Sequence, residues 1–261
     1  MPQSIAGQRK EGICTKAFYR KIVVTGNIVE VWSYEKLNTK GGNNPDGVES
    51  DGSDPAANYE LRQRKRRNRI RQLICSNFDE GSKFVTLTFA DRTDFDITCV
   101  QACNAFFKRF VQRVKYRYPE FKYVAVIEFQ DSNGRGAVHY HMVCNLPFLR
   151  KAEIAELWQG GFVQINRIDH VDNVGAYVVK YMLKDTEDPR LMGENAYLHS
   201  RGLNEPYEVT SWSSESSEFW SVAHALQKEL PSYSAKYESK YAGEVCYCQY
   251  NFNRHDDTIT E

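Results

Sequence analysis

The chain reads as an α+β protein built on an antiparallel sheet of ferredoxin-like type, with helices on one face. Three observations predict it. Segments with β-branched character and segments with helical periodicity alternate as β-α-β-β-α-β-α through the middle of the sequence. A turn-forming stretch, "DSNGRG", joins the two central strands and makes them neighbours. Aromatic residues form 13% of the 261, enough to fill a real core.

The elements follow in order. "FYRKIVVTGNIVEVW" is a hairpin, its two β-rich runs flanking a turn at Thr25-Gly26-Asn27. Residues 38–57 carry no apolar pattern and read as a loop or linker. "YELRQRKRRNRIRQLICSNF" is a helix with few apolar anchors, Leu61, Ile70, Leu73 and Ile74. "KFVTLTFAD" is a strand, and residues 100–118 form an amphipathic helix with Phe106, Phe110 and Val114 at a spacing of four. "FKYVAVIEFQ" and "AVHYHMVCNLPF" are strands. "KAEIAELWQ" is a short helix ended by Gly160-Gly161, "FVQINRI" a strand and "NVGAYVVKYMLKD" a helix. Beyond residue 190 the pattern weakens to one helix at 216–229 and a last strand beginning near Cys246. The division is therefore 1–58, hairpin and linker; 59–190, the α+β domain; 191–261, a C-terminal extension of unassigned role.

Formal net charge is zero, so whole-chain charge points to no partner. Its distribution does. Arg62, Arg64, Lys65, Arg66, Arg67, Arg69 and Arg71 fall in one run, and Lys108 and Arg113 belong to a second basic series. These are candidate phosphate contacts. The seven cysteines include no C-x-x-C pair, which favours a reduced, cytoplasmic chain over a disulfide framework. No stretch is long and apolar enough to predict a membrane span.

The chemistry concentrates in "AVHYHMVCN". Side chains alternate along a strand, so His139 and His141 share one face while Val138, Tyr140 and Met142 take the other. Two imidazoles side by side suit one divalent ion. Glu128 and Gln130, in the neighbouring strand, share a face, and either can supply a third ligand. Glu128 brings charge and suits Mg²⁺ or Mn²⁺. Alone, a His-x-His pair is more often a packed or surface pair than a metal site.

The downstream helix decides between those readings. It holds Y-x-x-K twice, Tyr177 to Lys180 and Tyr181 to Lys184. At about 100° per residue these four fall within one arc of roughly 100°, opposite Val178, Val179, Met182 and Leu183. A phenol is a weak nucleophile at its ordinary pKa of about 10. Beside a lysine and a metal-polarised phosphate it becomes an effective one.

"VTLTF", "HYH" and "YVVKY" stand in the order and spacing of the three motifs of HUH endonucleases, and the chain resembles that family over about residues 60–190. The phrase "EFQ…RGAVHYH" is most similar to the rolling-circle replication initiators of plasmids and prophages, and the tandem tyrosines to the phage type with two nucleophiles. The resemblance implies the HUH fold and a metal-dependent endonuclease and strand transferase. His139, His141 and Glu128 would hold the ion, and Tyr177 or Tyr181 would attack single-stranded origin DNA to leave a 5′-phosphotyrosine and a free 3′-OH. It implies a host polymerase as partner and, since no G-x-x-x-x-G-K-[ST] stretch is present, a separate host helicase. An HUH-type transposase, a metallohydrolase and a non-catalytic DNA-binding regulator are the competing readings.

Overall fold

The computed structural model describes residues 19–36, 55–92, 94–131, 134–168, 175, 188–195, 197–211, 216–239 and 242–252. Two compact units emerge: Arg62–Asn204, and Met1–Leu61 together with Glu205–Glu261.

The Arg62–Asn204 unit carries strands β3 (Lys83–Thr88), β4 (Tyr123–Gln130), β5 (Ala137–Cys144), β6 (Val163–Arg167) and β7 (Tyr197–His199). They form one sheet in the order β6-β3-β5-β4-β7, with antiparallel neighbours throughout. The first four strands, with helices α2 (Val100–Arg117) and α3 (Lys151–Trp158) as crossovers, give the βαββαβ order of a ferredoxin-like unit. Strand β7 adds an edge beside β4.

The two crossover helices share one face, as the order of elements predicts. Phe106, Phe107, Phe110 and Val114 of α2 and Trp158 of α3 pack on Leu87, Phe89, Tyr140 and Met142. Trp158 is fully buried, and its indole N–H donates to the Thr88 carbonyl at 3.0 Å, so the ring is both packed and satisfied. Tyr140 is likewise buried, with its hydroxyl donating to Asn104 Oδ1 at 2.8 Å.

Helix α1 (Pro55–Asn77) lies on the opposite face. Ile70, Leu73 and Ile74 meet Phe84, Val124, Val126 and Val143. Those four sheet residues occupy one end of the face. Beyond them, at the other end, come Thr86 and Thr88 on β3, His139 and His141 on β5, and Glu128 and Gln130 on β4.

The end of α3 differs from expectation. The left-handed residue is Gln159, with φ 58°, rather than either following glycine. Gly160 and Gly161 serve a close approach instead. The Ala90 N–H donates to the Gly160 carbonyl at 2.8 Å, and a Cβ on Gly161, where φ is 147°, would lie 2.3 Å from the Ala90 nitrogen.

In the other unit, the sheet order is β8-β1-β2-β10-β9, from β1 (Tyr19–Thr25), β2 (Ile28–Tyr34), β8 (Tyr207–Thr210), β9 (Tyr233–Ser239) and β10 (Gly243–Asn251). The β1–β2 hairpin closes through Gly26 at φ 58° and Asn27, with Thr25 opposite Ile28. Helix α4 (Ser216–Leu226) packs Phe219, Ala223 and Leu226 on Ile22, Val31 and Tyr250. The N-terminal hairpin and the C-terminal extension are thus one sheet, joined where β2 pairs with β10. Cys99, Cys103 and Cys144 are free thiols. No helix among the described residues is long and apolar enough to cross a membrane.

Trp158→Ala removes the largest ring at the α2–α3–sheet junction. It is expected to cost about 3–5 kcal/mol in urea-induced unfolding followed by far-UV circular dichroism.

Candidate metal centre

Strand β5 sits between β3 and β4, and the register fixes what its histidines face. His139 lies opposite Thr88 on one side and Glu128 on the other; His141 lies opposite Thr86 and Val126. The polar contacts run partly straight across and partly on the diagonal. Thr86 Oγ1 is 3.1 Å from His141 Nδ1, and Thr88 Oγ1 is 3.5 Å from His139 Nδ1. The Nε2 atoms reach the far strand diagonally, His141 to Glu128 Oε2 and His139 to Gln130 Oε1 at 2.8 Å. Phe84 stacks on His141 with ring centres 5.8 Å apart and planes 4° from parallel, which holds that imidazole's tilt.

Both imidazoles are half-buried. Burial pushes the His139 pKa below the ordinary imidazole value, with help from nearby His141 and Arg135 and against the pull of Glu128. A neutral imidazole is the form that ligates a metal. With each Nε2 donating to Gln130 or Glu128, the threonine hydroxyls donate to Nδ1 here. On metal binding the N–H would pass to Nδ1, where the threonine oxygen can accept it and leave Nε2 to ligate, the arrangement in which an outer partner sets ring orientation and tautomer.

Glu128 and Gln130 differ in what else they touch. Gln130 Oε1 also accepts from Arg135 Nη1 at 2.9 Å. Arg135 is held in turn by the Phe89 carbonyl and Asp91, each at 2.8 Å. With His139 and Arg135 both on Gln130 Oε1, the two lone pairs of that oxygen are engaged. Glu128 is the anionic side chain on the face, 29% exposed, and it bonds to His141. The donor set of two imidazoles and one carboxylate fits a mid-series divalent ion. Among the described residues, no three His, Cys, Asp or Glu side chains converge closely enough to form a ready cage.

Tyr177, Lys180, Tyr181 and Lys184 lie outside the described residues. Described residues on both sides of that stretch are anchored. Gly175 touches α1 so closely that a Cβ there would lie 2.4 Å from Cys75 Sγ and 2.7 Å from the Arg71 carbonyl oxygen. On the far side, Arg190 binds Asp131, the residue after β4, through both carboxylate oxygens at 2.8 Å. Its guanidinium also lies 3.7 Å from the centre of the Phe129 ring. Asp188 and Asp131 have their pKa values lowered, in each case chiefly by the Arg190 hydrogen bond.

The basic residues separate. Arg62, Arg64, Lys65 and Arg67 are exposed on α1, and Arg66, Arg69 and Arg71 are half-buried there. Helix α1 covers the sheet face that carries the histidines. Lys108 and Arg113 stand on α2, which covers the other face, so the fold does not bring them to the histidines. Arg113 is engaged at the end of α3, its Nε donating to the Leu157 carbonyl at 2.7 Å and its Nη2 to that of Trp158 at 3.0 Å.

Thr86, Thr88, Phe84 and Arg135 were not singled out by sequence. The alternation in "VTLTF" is a signal that could have found the threonines, since it sets Thr86 and Thr88 on one face of β3. Arg135 carries no comparable pattern.

Residues 82–186 match the family described as Replication-associated protein ORF2/G2P. The match includes all of the histidine face on β3, β4 and β5, and it supports a role in replication. No curated protein matches the chain. One solved structure is similar, a hypothetical protein, ORF119, from Sulfolobus islandicus rod-shaped virus 1. It is 15% identical, covers 46% of this chain and 94% of its own, and has a TM-score of 0.32.

The lowered His139 pKa has a consequence for stability. The unfolded histidine takes up a proton near pH 6.5, while the folded one resists protonation to lower pH. Its contribution is complete above about pH 6.5 and is lost as pH falls through the folded value. In chelator-treated protein, His139→Gln is expected to flatten this acid limb in urea midpoints measured between about pH 7.5 and 5.

Proposed function

We propose that the chain is a replication initiator of HUH type, which nicks and rejoins single-stranded origin DNA through a tyrosine. The observation that carries this reading is the shared face of His139, His141 and Glu128, with a threonine hydroxyl at each Nδ1. That face lies inside the segment similar to replication-associated proteins.

His139, His141 and Glu128 would hold Mg²⁺ or Mn²⁺. The ion supplies Lewis-acid polarisation of a phosphate oxygen. Thr86 and Thr88 keep the imidazoles oriented, and burial keeps His139 neutral. Tyr177 or Tyr181 attacks phosphorus through its phenolic oxygen as the proton leaves that oxygen. The bond between phosphorus and the 3′ oxygen breaks, that oxygen leaves and takes up a proton, and the 5′ phosphate stays on the tyrosine. Lys180 and Lys184 offset charge on the phenolate and phosphate. A host polymerase extends the 3′-OH, a host helicase opens the duplex, and the second tyrosine permits a second transfer. Exposed arginines of α1 hold the strand's phosphates, on the sheet face that carries the histidines.

The test is a covalent protein–DNA band formed with single-stranded DNA from the chain's own replicon and Mn²⁺. Chelator is expected to abolish it. His139→Ala and His141→Ala should each reduce its rate at least about 100-fold. Tyr177→Phe and Tyr181→Phe tested singly assign the nucleophile. A band that persists in the double variant overturns the tyrosine chemistry. Cleavage without a band identifies a metallohydrolase, and binding without cleavage a regulator.

A second expectation concerns salt. Replacing exposed Arg64 and Arg67 with alanine should reduce the slope of log K against log salt by about 1.4, at about 0.7 per phosphate contact on single strands. An unchanged slope would remove α1 from the interface.

A further inference from the structure

A polar cavity of about 390 Å³ lies at the edge of the same sheet, lined by Arg66, Glu194, Asn195, Tyr197 and His199 among others. None of these belongs to the histidine–carboxylate cluster. Strand β7 places its two rings. Tyr197 lies opposite Val126 and His199 opposite Val124. Val126 also lies opposite His141. Tyr197 and His141 therefore stand in one row across the sheet and on one face, two strands apart. At about 4.8 Å per strand that separation is roughly 10 Å.

The two rings form a platform. Tyr197 and His199 stack with centres 5.5 Å apart and planes inclined by 26°. The His199 ring is oriented by a bond of 2.9 Å from Nδ1 to the Ser200 carbonyl. Glu194 is also held, its Oε1 accepting from Gln101 Nε2 at 2.8 Å. The cavity thus combines π-faces, a guanidinium, a carboxylate and a carboxamide. Stacked rings suit an unpaired base, a guanidinium suits a phosphate, and carboxylate and carboxamide groups suit the polar edge of a base. The volume sits at the small end of the roughly 300–1,000 Å³ of ligand pockets, room for a base rather than a duplex.

We infer that this cavity is a base-binding subsite for a nucleotide of single-stranded DNA close to the phosphate at the histidine face. The base stacks on the Tyr197–His199 pair, Glu194 and Asn195 read its edge, and Arg66 takes the adjoining phosphate. The inference rests on the nicking reading and adds to it a place where sequence is read. An acceptor such as Glu194 favours bases with an exocyclic amino group there.

The experiment uses the full chain and a fluorescein-labelled single strand of roughly 20 nucleotides from the chain's replicon, with 5-iododeoxycytidine in place of deoxycytidine so that the photoreactive base keeps its exocyclic amino group. Affinity is read by anisotropy, and photo-crosslinked peptides are mapped by mass spectrometry. Crosslinks on Tyr197 or His199 are expected. His199→Ala and Tyr197→Leu should each weaken binding about tenfold. Tyr197→Phe, which keeps the ring, should restore the affinity. His199 is exposed, so its truncation leaves the core intact even where Tyr197→Leu impairs folding. If the strand binds and forms the tyrosine adduct, but crosslinks fall elsewhere and His199→Ala binds normally, the subsite is overturned and the nicking reading stands. If no single strand binds and no adduct forms, both are overturned.

Discussion

The alternation of β5 is the constraint on which the rest of this unit depends. One face of the strand sends Val138, Tyr140 and Met142 into the core beneath α2 and α3. The other carries His139 and His141 toward Thr86, Thr88, Glu128 and Gln130. A slip of one residue would bury the imidazoles among phenylalanines and expose the core set. The packing of Tyr140 against Phe107, with ring centres 4.4 Å apart, therefore secures the histidines on the reverse side. Core stability and site geometry are two faces of one register.

The two sheet faces are covered differently. Helices α2 and α3 span one with a continuous aromatic cluster that includes Phe89, Phe106, Phe110 and Trp158. Helix α1 covers the apolar end of the other, over Phe84, Val124, Val126 and Val143. The polar end is left half-buried. That is a useful compromise for chemistry. Partial burial favours neutral imidazole and strengthens electrostatic contacts, while partial exposure admits a ligand. Phe84 stands at the border, packed with the apolar set and stacked on His141.

Electrostatics divides the two candidate third ligands. Glu128 and Gln130 share a strand face and differ by two residues, so strand alternation treats them alike. Arg135 distinguishes them, because its guanidinium donates to Gln130. The residue comes from the long β4–β5 turn, where Gly134 and Gly136 take φ of 70° and 60°. The turn thus delivers a cation to the end of the row.

The ferredoxin-like order, both crossover helices, the hairpin and the face shared by His139, His141 and Glu128 were legible in sequence. Each rests on short-range periodicity, which a linear chain displays directly. Strands β7, β8 and β9 were not, being short or mostly exposed and lacking a clean alternation. Nor was the union of hairpin and extension, because pairing between β2 and β10 joins segments about 200 residues apart and leaves no local mark. Sequence by itself determined which residue types share a strand face. Only the tertiary structure decided which strands lie beside that face. It set Thr86 and Thr88 behind the imidazoles, Arg135 on Gln130, and Lys108 and Arg113 on the far side of the sheet, since those relations depend on register and on which helix covers which face.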